Sequence, residues 1–156
     1  MNIGGGVKRV VLRDSPRFCR LIYSDGQGAT LLKSHKHGLQ GKPDFIFQSR
    51  FGRRLIPMEL KSGKTPTDGP FFGDLMQLAA YFLIIEESHG KRPKRGLLRY
   101  KDGMYVVKNT ARRRRELRKI AADMRAMLET GQGMANPSFV QCRYCVARDT
   151  VCEFTS

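Results

Sequence analysis

"PDFIFQSRFGRRLIPMELKS", residues 43–62, holds two apolar runs on either side of a short basic break. "PDFIFQ" (43–48) and "RLIPMELKS" (54–62) are rich in aromatic, aliphatic and β-branched residues, which fit a pleated, half-buried surface. "SRFGR" between them contains Gly52 and reads as a hairpin turn. Two antiparallel strands are therefore expected. Side chains alternate faces along a strand, so Pro57, Glu59 and Lys61 point one way and Ile56, Met58 and Leu60 the other. On this reading Leu60 anchors the strand in the core, while Glu59 and Lys61 face out together. The start of one antiparallel strand lies beside the end of its partner, which brings Asp44 near Glu59 and Lys61. Two carboxylates and an ammonium then converge on one spot.

The elements around this hairpin follow from punctuation and periodicity. "SGKTPTDGP" (62–70) is a loop, with two glycines and two prolines. A helix is expected from near Pro70, running "FFGDLMQLAAYFLIIEES" and stopping near Gly90, with Pro93 just beyond. It is apolar nearly all round, so it packs on several sides. Gln77 and Tyr81 interrupt it at i and i+4 and stack on one face. A polar pair in a buried helix needs partners, either backbone or the carboxylate site. "RGLLRYKDGMYVVKN" (95–109) is a hairpin about Lys101-Asp102-Gly103. A second helix spans Thr110 to Thr130, with Thr110 as N-cap and an apolar stripe of Leu117, Ile120, Ala121, Met124, Met127 and Leu128. Upstream, "VKRVVLRD" (7–14), "RFCRLIYSD" (17–25) and "ATLLKS" (29–34) read as short strands. The order of strands, helix, strands, helix predicts one α/β (α+β) domain over residues 1–156, with a mixed central sheet flanked by helices.

Composition narrows the class of partner. The chain has 29 Lys+Arg against 14 Asp+Glu, a formal charge of +15. A potential of that sign attracts polyanions, and DNA is the expected partner. No apolar run approaches membrane-spanning length, and "MNIGGGVKRV" lacks the apolar stretch of a signal peptide. A cytoplasmic protein with reduced thiols and no membrane partner is expected.

Asp44 and Glu59 are the oxygen ligands that a hard cation, Mg²⁺ or Mn²⁺, requires. Such a cation polarises a phosphoryl group and acidifies water. Lys61 can orient that water or neutralise charge growing on phosphate. The competing reading is a turn residue at Asp44 and an exposed ion pair at Glu59 and Lys61.

Asp44 in "GKPDFIF", Glu59 and Lys61 in "MELK", and Gln77 and Tyr81 in "QLAAY" resemble, in order and spacing, the motifs of the PD-(D/E)xK nuclease superfamily, RecB branch. "QCRYCVARDTVCEF" adds Cys142, Cys145 and Cys152. With them the chain is similar to the CRISPR-associated exonuclease Cas-four family and its stand-alone relatives. The resemblance implies a restriction-endonuclease-like domain and a metal-dependent DNA exonuclease acting on single strands or ends. It implies catalytic roles for Asp44, Glu59, Lys61, Gln77 and Tyr81, and a prokaryotic, archaeal or viral setting in CRISPR adaptation, repair or recombination. A CRISPR integrase or other recombination proteins are the implied protein partners. It also implies a 4Fe–4S cluster on four cysteines in a C-terminal tail, residues 136–156.

Read from the residues alone, four thiolates hold either zinc or an iron–sulfur cluster. The chain has four cysteines, and Cys19 is the one candidate for the fourth ligand. It reads equally as a small buried hydrophobe on a strand. The family's longer segment between its first cysteine and its aspartate, which carries a histidine, is shortened here. His35 and His37 in "SHKH" either stand in for that histidine or are surface residues. Arg112, Arg113, Arg114 and Arg115 open the last helix, where cations oppose the helix dipole unless a phosphate offsets them. With Lys64 they are the expected DNA contacts, a solvated basic face being the alternative. Two other function classes fit the same residues: a non-catalytic DNA-binding subunit on a nuclease fold, and a zinc-bearing nucleic-acid adaptor.

Overall fold

The structure is a computed structural model and describes residues 16–26 and 28–132. The expected strand at 7–14 and the tail with Cys142, Cys145 and Cys152 lie outside the described residues. The chain divides into two units, residues 1–119 and 120–156.

The hairpin of residues 43–62 forms the middle of the sheet. β1 (Cys19–Ser24) pairs antiparallel with β4 (Phe45–Ser49), and β4 with β5 (Leu55–Leu60). The β4–β5 turn holds Gly52 at φ 70°, in the left-handed region that glycine enters without a Cβ penalty. From β5 the chain crosses through helix α1 (Phe72–His89) to β6 (Arg95–Arg99), which lies parallel to β5. β7 (Met104–Lys108) returns antiparallel to β6. The sheet is therefore mixed, in the order β1-β4-β5-β6-β7. β2 (Leu32–Ser34) and β3 (Leu39–Gly41) form a separate small hairpin against α1. The predicted strand at 29–34 thus shrinks to three residues, and β3 is new. A three-residue strand is too short to show an alternation.

Helix α1 begins at Phe72, not at Pro70. Phe71 keeps an extended ψ of 146°, so helical geometry starts only after it. The helix ends where expected, at Gly90 with φ 64°. Helix α2 spans Ala111–Thr130. The Thr110 hydroxyl accepts the Arg113 N–H at 3.3 Å, as an N-cap does. Of its predicted apolar stripe, Leu117 is buried and Met124, Met127 and Leu128 are exposed.

The two faces of the sheet carry two clusters. Ile46, Leu55 and Leu98 pack with Leu78, Tyr81, Phe82, Ile84 and Ile85 of α1. Phe45, Phe47, Ile56, Met58 and Leu97 make the opposite cluster, joined by Leu60 and Cys19. Gly96 lets α1 come close to β6. A Cβ there would stand 2.9 Å from Leu78 Cδ1 and 3.0 Å from Phe82 Cε1. Gly96→Ala is therefore expected to destabilise the protein by ~1–3 kcal/mol through overpacking, read by chemical denaturation.

Candidate active site

Alternation along β5 sets Met58 and Leu60 on one face and Glu59 on the other. The covered face on Glu59's side is that of α1, so Glu59 is 8% exposed rather than facing out. This corrects the expectation of an outward pair. Asp44 stands just before β4, and its Oδ2 accepts the Leu60 N–H at 2.6 Å. Its carboxylate is thereby tied to the end of β5, beside Glu59. Lys61 leaves β5 with its N–H donated to the Arg99 carbonyl at 2.7 Å.

The N-terminal half of α1 closes over these groups. Asp74, Gln77 and Tyr81 are spaced by three and four, so they share one helix face. Lys61 Nζ donates to Gln77 Oε1 at 2.5 Å and pairs with Asp74 Oδ1 at 3.0 Å. It lies 3.9 Å from Glu59 Oε1. An ammonium only donates, so the Gln77 amide must turn its oxygen to Lys61 and its nitrogen away. That nitrogen donates to Glu59 Oε1 and to the Tyr81 hydroxyl. The Tyr81 hydroxyl in turn donates to the Lys42 carbonyl at 3.1 Å. β3 runs so near that a Cβ on Gly41 would meet Tyr81 Cε1 at 3.0 Å.

Burial is the main electrostatic force in the site. It pushes the Glu59 carboxyl up to about 7, with the Asp44 charge adding to it and Lys61 opposing. It holds the Tyr81 phenol up at about 12, so Tyr81 stays a donor. Glu59 Oε2 is buried and meets no hydrogen-bond donor among the described residues. A buried acceptor without a donor is costly, and a divalent cation would satisfy it. Asp44 and Glu59 fit such an ion by donor type. No group of three or more His, Cys, Asp and Glu side chains suited to a metal gathers among the described residues. Two carboxylates supplemented by water and substrate oxygens suit Mg²⁺ or Mn²⁺ rather than zinc.

Asp74 and Tyr100 were missed in the sequence. The Tyr100 hydroxyl donates to Asp74 Oδ2 at 2.6 Å, completing the chain Tyr100–Asp74–Lys61. Burial and this bond raise the Tyr100 phenol above its ordinary range. The available signal was the position of Asp74, three residues before Gln77.

Other candidates lie elsewhere. His35 and His37 sit in the β2–β3 turn. The backbone N–H groups of His35 and Lys36 donate to Glu87, at 2.9 and 3.3 Å to its Oε1. Glu87 is ten residues beyond Gln77, or ~15 Å along the helix. The structure does not bring these histidines to the carboxylates. Burial and the nearby cations Lys36, Arg114 and Arg118 hold the His37 imidazole below its ordinary value. The arginine run divides. Arg114 pairs with Glu86 Oε2 at 2.5 Å, and Arg113 donates to the Lys108 carbonyl. Arg112 and Arg115 are exposed. Lys64 is exposed in the loop after β5, next to Thr65, whose N–H and hydroxyl hold Asp102 Oδ1 at 2.6 and 2.7 Å. Cys19 is half-buried at the start of β1 and pairs with Ser49, the far end of β4 from Asp44. Five residues of strand put ~17 Å between those ends. Burial raises the Cys19 thiol.

The family model of the PD-(D/E)XK nuclease superfamily matches residues 11–153. The crystal structure of SSO0001 resembles the chain with a TM-score of 0.56 at 19% identity, over 95% of this chain and 66% of that one. The chain thus spans just under two thirds of that protein's length, and the likeness is one of fold. No curated protein matches the chain in sequence. Among the described residues no helix is long and apolar enough to cross a membrane.

Proposed function

The chain belongs to the PD-(D/E)XK nuclease superfamily, and from that premise we propose a divalent-metal-dependent deoxyribonuclease that works on single strands or DNA ends. The observation that carries the proposal is the junction of Asp44, Glu59, Lys61 and Gln77 at the end of β5, with Glu59 Oε2 lacking a donor among the described residues.

Asp44 and Glu59 would hold Mg²⁺ or Mn²⁺, with the Leu60 carbonyl oxygen as the further proposed ligand. When bound, the cation supplies Lewis acidity to the scissile phosphodiester and makes water more acidic. Lys61 contributes a fixed positive charge. Asp74 and Gln77 engage two of its N–H groups, and a third is available to a phosphate oxygen or to the attacking water. Gln77 and Tyr81 are positioning residues: they join Lys61 and Glu59 to the Lys42 carbonyl. Cleavage of labelled single- and double-stranded DNA with Mn²⁺, abolished by chelator, tests the proposal. Intact DNA at every metal concentration would refute it.

The arginine run supports a DNA contact in part. Arg112→Gln with Arg115→Gln is expected to lower the log–log salt slope of single-strand binding by about 1.4, at ~0.7 for each lost phosphate contact. Melting temperature should not change. Arg114→Gln should instead lower stability by roughly 1 kcal/mol, because it breaks the pair with Glu86. A wild-type slope in the double variant would make Arg112 and Arg115 a solvated face.

Cys142, Cys145 and Cys152, with or without Cys19, are the proposed ligands of an iron–sulfur cluster, zinc being the other metal their thiolates would hold. Iron, sulfide and zinc content of anaerobically prepared protein, wild type against Cys19→Ser, decides both the metal and the fourth ligand.

A further inference from the structure

Lys61 Nζ has three side-chain oxygens around it, and they are not equivalent. It donates to Gln77 Oε1 at 2.5 Å, pairs with Asp74 Oδ1 at 3.0 Å and stands 3.9 Å from Glu59 Oε1. A charge-assisted N–H···O bond spans ~2.8 Å, so a move of about 1 Å would turn the last contact into a second ion pair. That pair would occupy the carboxylate proposed to hold the cation. The three charged side chains are largely withdrawn from water: Lys61 is 19% exposed, Asp74 18% and Glu59 10%. Attraction between charges is stronger there than at an open surface. Which carboxylate holds the ammonium therefore matters to the site.

The two oxygens of Asp74 have separate tasks. Oδ1 receives Lys61, and Oδ2 accepts the Tyr100 hydroxyl at 2.6 Å. Tyr100 is 3% exposed and belongs to the core cluster on the α1 side of the sheet. The Tyr105 ring stands edge-on to it at 6.1 Å. A phenol held by that packing fixes the rotation of the Asp74 carboxylate and turns Oδ1 to Lys61. Asp74 is not itself gathered with Asp44 and Glu59 into a metal-binding group of three among the described residues.

We infer that Asp74, aimed by Tyr100, is a positioning residue that holds the Lys61 ammonium off Glu59 and so keeps Glu59 open to a divalent cation. The inference deepens the proposed function and rests on its metal site. With Asp74 in place, the cation and the ammonium sit side by side, each with its own carboxylate. Without it, two positive charges compete for Glu59.

Metal binding without DNA tests this. In Asp74→Asn one carboxylate oxygen becomes an NH₂ group. Lys61 and Tyr100, both donors, then share a single oxygen, and Lys61 should move to Glu59. Mn²⁺ affinity by titration calorimetry should fall ~10–100-fold, the range for groups that act on a metal through its ligands. Tyr100→Phe keeps the ring and removes the hydroxyl. It should lower Mn²⁺ affinity in the same direction by less, and it carries the test if Asp74→Asn does not fold. The deciding arm repeats Asp74→Asn in a Lys61→Met background. With no ammonium to restrain, the substitution should cost much less affinity than in the wild type. An equal loss in both backgrounds would make Asp74 a direct partner of the cation and overturn the inference. Unchanged affinity in Asp74→Asn or in Tyr100→Phe would overturn it too. Failure of the nuclease reading looks different: the pattern of Mn²⁺ affinities persists, but no DNA is cleaved. Wild-type protein that binds no Mn²⁺ would sink both.

Discussion

Asp44→Asn is expected to remove metal-dependent DNA cleavage while leaving the fold intact. The substitution takes away a charged ligand but keeps an oxygen that can accept the Leu60 N–H, now bound by Asp44 Oδ2 at 2.6 Å. The clamp between the start of β4 and the end of β5 therefore survives. Changes to groups that only hydrogen-bond a metal's ligands already cost ~10–100-fold in affinity, and loss of a direct ligand should exceed that. Cleavage should fall by at least the ~10²–10³-fold that one lost electrostatic contact to a transition state costs. Asp44→Ala is the informative contrast. It leaves the Leu60 N–H without its acceptor, at ~1–3 kcal/mol of stability. Titration of Mn²⁺ binding, with melting curves of both variants, separates ligand from clamp. Wild-type cleavage by Asp44→Asn would remove Asp44 from the site.

Glu59→Gln is expected to give a protein that is inactive yet more stable than the wild type when metal-free at pH 8. In the folded protein the Glu59 carboxyl titrates at about 7, against an ordinary value of 4.5. The native state thus holds a proton that the unfolded chain has released between those values. Stability of the metal-free wild type should then fall as pH rises from about 4.5 to about 7, and level off above. The difference corresponds to a loss on the order of 3 kcal/mol. Glutamine stays neutral and avoids that loss, so its stability advantage should appear above pH 7 and vanish near pH 4.5. Metal acts in the opposite direction. It binds the ionised carboxylate, so Mn²⁺ should raise the wild-type melting temperature more at pH 8 than at pH 5.5, and should scarcely move Glu59→Gln. A wild-type stability curve flat between pH 4.5 and 7 would remove the buried, charge-coupled carboxylate from the account.

Much of the candidate site is legible in the sequence. The hairpin of β4 and β5 shows in "PDFIFQ" and "RLIPMELKS" because strand side chains alternate and Gly52 marks the turn. Antiparallel pairing of those strands is enough to bring Asp44 beside Glu59 and Lys61. The i, i+4 spacing of Gln77 and Tyr81 inside an apolar helix singles them out, because buried polar side chains need partners. The composition alone makes the chain a polycation.

The rest depended on elements distant in sequence. Alternation separates Glu59 from Leu60 but does not tell which face a helix will cover. The β5–α1–β6 crossover decided that, and with it the burial that raises the Glu59 carboxyl. Asp74 reads in sequence as an ordinary acid in a first helical turn, which the helix dipole favours anyway. Only Lys61 from β5 and Tyr100 from beyond β6 give it a place in the site. Four consecutive arginines look equivalent along the chain until Glu86 takes Arg114 and the Lys108 carbonyl takes Arg113. His35 and His37 are near Asp44 in sequence, yet the β2–β3 turn docks at Glu87, near the far end of α1. Residue type and local spacing determined which chemistry this protein can carry. Tertiary packing decided which charges lose their water and which are taken by neighbours, because desolvation and partner choice depend on groups that local sequence does not bring together.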